Sequence, residues 1–335
     1  MILILSHRDD CHISLVTEKL DGLGAEYVWF DPADFPANAS ITVAFDRRGI
    51  NRRLLRTGDR VIDLDRVTAV WVRRPGQPKV ADQITDQDQR RWASLECREF
   101  LEGLWQTMDC QWIPARPRDT HFGYNKTYHL GLAASLGFLI PDHTVVTNDP
   151  DEFVGFYAET GGQMVSKVSC PLSTERDGEL HHTFTHVVRR RDAVSYRSVR
   201  FAPIIFQEYV PKVLELRVTV VGSRVFAAAI DSQASLMTRD DWRHYDNDRA
   251  TYLEYELPRD IGLRCVRLTQ ALGLCFGTID LVLTPQGEYV FLEINANGQW
   301  GWVEALTGMP IAGAIAQLLV SASVCEQEVN HAASV

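Results

Sequence analysis

Residues 278–300 read Thr278-Ile-Asp280-Leu-Val-Leu-Thr-Pro285-Gln-Gly287-Glu-Tyr-Val-Phe-Leu-Glu293-Ile-Asn295-Ala-Asn297-Gly298-Gln-Trp300. Two apolar runs, Thr278–Leu283 and Tyr289–Ile294, flank a Thr-Pro-Gln-Gly turn, so the segment reads as two adjacent strands. Side chains two apart on a strand share a face, which puts Glu293 and Asn295 together. The turn brings Asp280 opposite them. Two carboxylates and an amide oxygen form the donor set of a hard cation such as Mg²⁺, whose shell is completed by nucleotide phosphates. A solvated strand face would also carry polar residues, but the large apolar neighbours of each oxygen ligand argue against it.

Two upstream features complement this set. Gln207-Glu208-Tyr209-Val210-Pro211 ends a strand and is followed by Glu215 and Arg217. Backbone groups after a strand can meet an adenine edge, a carboxylate can take ribose hydroxyls, and an arginine can clamp phosphate oxygens. An ordinary edge strand with a surface ion pair is the competing reading. Two lysines also stand out: Lys126 opens a helix, and Lys167 lies within the apolar strand Met164–Val168, where its charge calls for an anionic partner.

The rest of the chain bounds the fold. Ile2–Leu5, an amphipathic helix through Ile13, Val16, Leu20 and Leu23, and Tyr27–Phe30 make a β-α-β opening, so a parallel sheet is expected there. Further expectations are a strand at Val67–Val72 and helices at Glu96–Met108, Lys126–Leu136, Asp151–Thr160, Ile261–Leu272 and Ile311–Val320. Strands are expected at Thr144–Thr147, Ile204–Tyr209, Leu216–Val221 and Val225–Ile230. The alternation of His182, Phe184, His186 and Val188 suggests a hairpin over Leu180–Arg200. These elements divide the chain into an N-terminal domain (1–113), a central domain (114–203), a C-terminal domain carrying the oxygen ligands (204–325) and a flexible tail (326–335).

With 335 residues and 45% hydrophobic content the chain can bury a substantial core, and its net charge of −10 disfavours nucleic acid as a partner. The apolar run after Met1 is too short for a signal sequence, and Ile311–Val324 is too short and too polar to span a bilayer. Seven cysteines without a C-x-x-C point away from disulfides and zinc, and towards a reducing cytoplasm. No Walker A motif is present, and Gly22-Leu-Gly24 follows its helix where a dinucleotide fingerprint would open one. The three histidines His181, His182 and His186 read as strand residues. Arg189-Arg190-Arg191, with Arg197 and Arg200, is a solvated face or a receiver for an acidic peptide.

Taken in order, lysine, lysine, Glu-Tyr-Val, Glu-x-Arg, Asp and Glu-x-Asn resemble the motif series of the ATP-grasp ligases, from Lys126 to Asn295. The chain is most similar to the graspetide synthetases, the microviridin-type peptide ligases. The narrower matches are Trp29-Phe-Asp-Pro-Ala-Asp-Phe-Pro36, Trp71-Val-Arg-Arg-Pro75, Ile230-Asp-Ser-Gln233, Asp241-Trp-Arg243 and Phe291–Trp300. The resemblance implies an α/β ATP-grasp fold with a pre-ATP-grasp parallel domain, a central domain and a C-terminal antiparallel sheet. It also implies ATP and Mg²⁺ as cofactors. Lys126 and Lys167 would meet phosphates. Glu208, Tyr209 and Val210 would flank adenine, Glu215 would hold ribose, and Asp280, Glu293 and Asn295 would hold the metal. Arg217 and Arg243 would steady the γ-phosphate and the acyl-phosphate. The implied partner is a ribosomal precursor peptide, with Arg189, Arg190 and Arg191 as candidates for binding it and a homodimer as one arrangement open to the chain. The alternatives are a ligase that adds free amino acids to a protein terminus or small acid, and a non-catalytic domain that binds peptide or nucleotide.

Overall fold

The computed structural model describes residues 1–119, 125–169, 173–176, 179–182, 185–234, 242 and 251–332; for 173–176, 179–182 and 322–332 only the backbone is described. The N-terminal layer is built from β1 (Ile2–Leu5), α1 (Cys11–Gly22), β2 (Tyr27–Phe30), β3 (Ala39–Asp46), β4 (Gly49–Thr57), β5 (Arg60–Asp63), β6 (Ala69–Val72), α2 (Gln87–Gln106) and β7 (Gln111–Ile113). The expected parallel sheet is present, in the order β2-β1-β6-β7. All four residues of β1 are buried, as a central parallel strand requires. In α1 the buried face is His12, Ile13, Val16 and Leu20, and Asp10 caps the helix by accepting from the His12 amide. Leu23, expected on that face, lies past the helix end and is half exposed.

Two features of this layer differ from the sequence reading. The antiparallel sheet β3-β4-β5 was not anticipated. Helix α2 starts at Gln87, nine residues before the expected Glu96, because Asp86 caps it by accepting from the Gln89 amide.

The middle of the chain forms α3 (Lys126–Ser135), β8 (Thr144–Thr147), α4 (Pro150–Glu159), β9 (Met164–Lys167), β10 (Ser173–Arg176), β11 (Glu179–His182), β12 (His186–Val187), α5 (Arg190–Ala193) and β13 (Ile204–Glu208). The main sheet runs β12-β9-β13-β8, while β10 and β11 pair with each other. The hairpin expected over Leu180–Arg200 is therefore corrected: the hairpin is β10–β11, and only β12 continues as strand. Beyond Val188 the chain turns helical. Asp192 stops the strand by accepting from the Arg189 amide at 2.9 Å and pairing with His186 at 2.9 Å, and residues Tyr196–Phe201 form a 3-10 turn.

The last third holds β14 (Leu214–Val221), β15 (Arg224–Ile230), β16 (Tyr252–Glu254), α6 (Arg259–Ala271), β17 (Phe276–Leu283), β18 (Tyr289–Asn295), α7 (Gly301–Thr307) and α8 (Ile311–Ala332). Its five strands form one antiparallel sheet, β16-β15-β14-β17-β18. Helix α8 passes the expected end at Val320, and its backbone is helical through most of the segment read as a flexible tail. Cys325-Glu-Gln-Glu is polar but made largely of residues that favour helix. Among the described residues no helix is long and apolar enough to cross a membrane.

One core cluster crosses the proposed boundaries at 113 and 203. Ile2, Ile4, Val16 and Trp71 of the N-terminal layer pack with Val221, Phe276, Trp300 and Ile315 of the C-terminal part. Helix α8 contacts both α1 and β14, so it joins the two layers. Replacing Ile315, which is fully buried in that cluster, with Ala should destabilise the whole chain by about 2–5 kcal/mol. Thermal denaturation should show one transition shifted down, with no separate early melting of the N-terminal layer.

Candidate nucleotide and metal site

The site grows from the register of two strands. β17 and β18 pair so that Asp280 stands opposite Glu293 and Thr278 opposite Asn295, with a bulge between Asp280 and Leu281. Like charges facing each other across a sheet repel, and each carboxylate is met by its own cation. Arg217 stands opposite Asp280 on β14, and its Nη1 lies 2.8 and 2.9 Å from the two carboxylate oxygens. Lys126, the first residue of α3, places Nζ 2.9 Å from Glu293 Oε2 and donates to the Val168 carbonyl at 3.2 Å. Lys126 thereby ties the end of the β9 segment to β18. Asn295 donates through Nδ2 to Glu293 Oε1 at 3.2 Å, which leaves its Oδ1 for a cation. Three hard oxygens on an edge that retains some exposure, flanked by two cations, fit Mg²⁺ and the phosphates of a nucleotide.

The other expected residues fall around this centre. Lys167 ends β9 opposite Ile205 on β13. The buried part of that strand is Met164 and Val165, and Lys167 is only half buried, so its environment is less apolar than its sequence context suggests. Glu208 ends β13; its amide donates to the His143 carbonyl and the Tyr209 amide to the Gln163 carbonyl. Val210 follows, half buried. Glu215, the second residue of β14, is a buried carboxylate and accepts from Lys212 Nζ at 2.7 Å, a partner the sequence did not single out. Arg243 lies outside the described residues. Its neighbour Trp242 is buried, with the Arg217 guanidinium carbon 5.9 Å from its ring centroid. Arg189, Arg190 and Arg191 are exposed at the start of α5, and among the described residues no ion pair joins them to the oxygen cluster. Burial pushes the Cys265 thiol up to about 12, which removes it as a nucleophile.

Sequence reasoning missed the contribution of the N-terminal layer. The loop Asn297–Trp300, which follows β18, is held from below by Arg73, Arg74 and His12. Arg73, 2% exposed, donates to the Asn297 carbonyl at 2.7 Å, and Asn297 Nδ2 donates back to the Val72 and Arg73 carbonyls at 3.0 and 2.7 Å. Arg74 donates to the Gln299 side-chain oxygen. His12 Nε2 accepts from the Gly301 amide at 3.1 Å, so Nδ1 carries the ring proton and donates to Asp10 at 2.7 Å. Burial, offset by the Asp10 hydrogen bond, holds His12 below its ordinary pKa and favours this neutral form. Burial would raise Asp10, but the His12 hydrogen bonds and the Arg73 charge outweigh it and hold the carboxyl well below the usual range. The loop touches the site directly, because the Gln299 carbonyl accepts from Arg217 Nη2 at 3.1 Å. The signal in the sequence is the Trp71-Val-Arg-Arg-Pro75 stretch, whose partners lie more than two hundred residues away.

A β14-β17-β18 sheet whose carboxylates face arginine and lysine is thus buttressed, through the loop after its last strand, by a parallel N-terminal layer. The MvdD pre-ATP grasp domain family matches residues 1–119. The macrocyclase MdnC of Microcystis aeruginosa, crystallised with the precursor peptide MdnA, is 31% identical over 96% of this chain and 99% of its own, with a TM-score of 0.83. A RiPP-associated ATP-grasp ligase of Chryseobacterium gregarium, in complex with ADP and a leader and core peptide, is 30% identical over 96% of both chains, with a TM-score of 0.87. A probable alpha-L-glutamate ligase of Xanthomonas oryzae is 33% identical over 135 residues, 40% of this chain and 42% of that protein's length. The chain belongs to the ATP-grasp ligases associated with ribosomally synthesised, post-translationally modified peptides.

Gly298 provides a test of the geometry. A Cβ built there would lie 1.6 Å from Thr278 Oγ1 and 2.8 Å from Arg217 Nη2, so the loop backbone rests against the site. Gly298→Ala should destabilise the protein by about 1–3 kcal/mol through overpacking, and should reduce nucleotide-dependent activity more than that loss of stability accounts for. Thermal melts and ATP turnover on the same preparation would decide; full activity would mean that the loop yields without moving Arg217.

Proposed function

We propose that this chain activates Asp or Glu side chains of a ribosomal precursor peptide as acyl-phosphates and closes ester or amide crosslinks onto Ser, Thr or Lys of the same peptide. The observation that carries the reading is the paired charge arrangement, Lys126 with Glu293 and Arg217 with Asp280, on a chain alike along nearly its whole length to two peptide-bound ligases. The similarity to the glutamate ligase covers a minor part of either protein, which favours a peptide crosslinker over an enzyme that adds free amino acids. We place the enzyme in the cytoplasm, where precursor and ATP meet.

In this reading Asp280, Glu293 and Asn295 would hold Mg²⁺, which would offset the charge of the nucleotide phosphates. Lys126 and Lys167 bind phosphate oxygens. Val210 and the carbonyls of 208–210 read the adenine edge, since the amides of Glu208 and Tyr209 are bonded to His143 and Gln163. Glu215 takes the ribose hydroxyls, with Lys212 holding its carboxylate in place. Arg217 steadies the γ-phosphate while one oxygen of the substrate carboxylate attacks the γ-phosphorus and ADP leaves. Arg243 steadies the resulting acyl-phosphate. The hydroxyl or amine oxygen or nitrogen then attacks the acyl carbon, phosphate departs and a proton is released, so each crosslink removes one water from the peptide. The protein's share is positioning and charge neutralisation.

Glu293→Gln should leave the fold intact and lower turnover by about 100-fold or more, because a charged hard ligand is lost while the amide still accepts from Lys126. Circular dichroism and ATP hydrolysis check this, and wild-type activity in excess EDTA would refute the metal assignment.

For the substrate, incubation of the enzyme with ATP, Mg²⁺ and a precursor peptide encoded nearby should give mass losses of whole waters. A gain equal to an amino acid would favour the glutamate-adding alternative, and no change would leave a peptide- or nucleotide-binding domain. Replacing Arg189, Arg190 and Arg191 together by Ala should weaken precursor binding and spare ATP binding, both read by calorimetry.

A further inference from the structure

The group Asp10, His12 and Arg73 is buried in the N-terminal layer, yet Arg73 and His12 both bond to the segment that follows β18, at Asn297 and Gly301. Arg73 Nε lies 3.4 Å from Asp10 Oδ2, its Nη2 lies 3.3 Å from the His12 ring, and its Nη1 reaches the Asn297 carbonyl. His12 holds the Gly301 amide, the first of α7, and packs edge-on against Trp300 with ring centroids 5.0 Å apart. An ion pair needed only for the N-terminal core would not have to contact residues 224 and 289 positions away. A guanidinium and an imidazole serve here as fixed donors and acceptors for backbone atoms. The adjacency of Asp10, Cys11 and His12 has the look of a metal cluster, but both His12 nitrogens are committed, one to Asp10 and one to the Gly301 amide.

The loop transmits this clamp in two places. The Gln299 carbonyl holds Arg217 Nη2, and at Gly298 the loop runs so near Thr278 and the same nitrogen that no side chain would fit there. Arg217 is therefore fixed on one side by Asp280 and on the other by a loop whose position the N-terminal layer sets. We propose that Asp10, His12 and Arg73 are positioning residues: they clamp the loop Asn297–Trp300 and thereby hold the Arg217 guanidinium where it meets the γ-phosphate. The proposal rests on the role given to Arg217 above.

The experiment has one arm on the loop and one on the chemistry, both with the full-length chain. Arg73→Lys keeps the charge and loses the fork; Asn297→Ala releases the loop without leaving a buried charge unpaired, and serves if the arginine variant folds poorly. Amide exchange at residues 297–301 should rise about tenfold or more in both, against an unchanged core. The Arg217 Nε–H resonance should shift, since that nitrogen is buried with no partner among the described residues. In peptide crosslinking kcat should fall by about 30-fold or more, with KM for ATP within about threefold of wild type. His12→Gln, which retains a donor and an acceptor, should recover most of the rate that His12→Phe loses.

Unchanged loop exchange in both variants, or faster exchange with full kcat, would overturn the proposal. So would equal behaviour of the two His12 variants. If the wild-type chain crosslinks no precursor, the functional reading fails by itself. The clamp is then judged by loop exchange and the Arg217 resonance, and a resonance that ignores the loop would sink it.

Discussion

Everything at the site depends on how two like charges are made tolerable on neighbouring strands. Asp280 and Glu293 are cross-strand partners, and at ~4 Å an uncompensated pair of unit charges repels by about 4 kcal/mol even at an effective dielectric of 20. The fold brings a separate cation to each. Arg217 arrives because β14 lies beside β17 in the sheet, and Lys126 arrives because the N-terminus of α3 packs on β18. The strand order β14-β17-β18 is thus an electrostatic requirement as much as a packing one.

That requirement was partly visible in the chain itself. The turn Thr284–Gly287 and the two-residue spacing of Glu293 and Asn295 are local, and they fixed which oxygens share a face. The parallel opening was equally legible, because four apolar residues in a row followed by an amphipathic helix leave few other options. The small sheet β3-β4-β5 was not, since its strands mix arginines with apolar residues and many of its side chains are exposed. The segment after Val188 was misread for a related reason. Alternation describes His182 to Val188, but Asp192 offers the Arg189 amide a side-chain acceptor, and that single local bond diverts the chain into a helix. The pairing of Lys212 with Glu215 could have been suspected from their three-residue spacing. The partners of Arg73 could not, because a contact spanning more than two hundred residues leaves no periodic trace.

The layers of the molecule are not independent supports. The N-terminal sheet, α8 and the back of the five-stranded sheet share one apolar cluster, so the parallel layer cannot shift without disturbing strands that carry the site. A hydrophobic cluster of this kind sets distance but tolerates small sliding, since dispersion is not directional. The polar contacts above it supply the direction: backbone carbonyls and amides of residues 297, 299 and 301 are each held by a named donor or acceptor. Core and hydrogen bonds thus divide the task of placing the loop.

This division also unifies two stretches that look unrelated along the chain. Trp71-Val-Arg-Arg-Pro75 and Asn297-Gly-Gln-Trp300 lie at opposite ends of the sequence, and each alone reads as an arbitrary string. In the structure Trp71 and Trp300 are buried in the same apolar cluster, Arg73 binds Asn297, and Arg74 binds Gln299. Gly298 is required between them because any side chain there would enter Thr278 and Arg217. The two stretches are the halves of one seam. A substitution in either half acts at the same place, on the side of Arg217 that Asp280 does not hold.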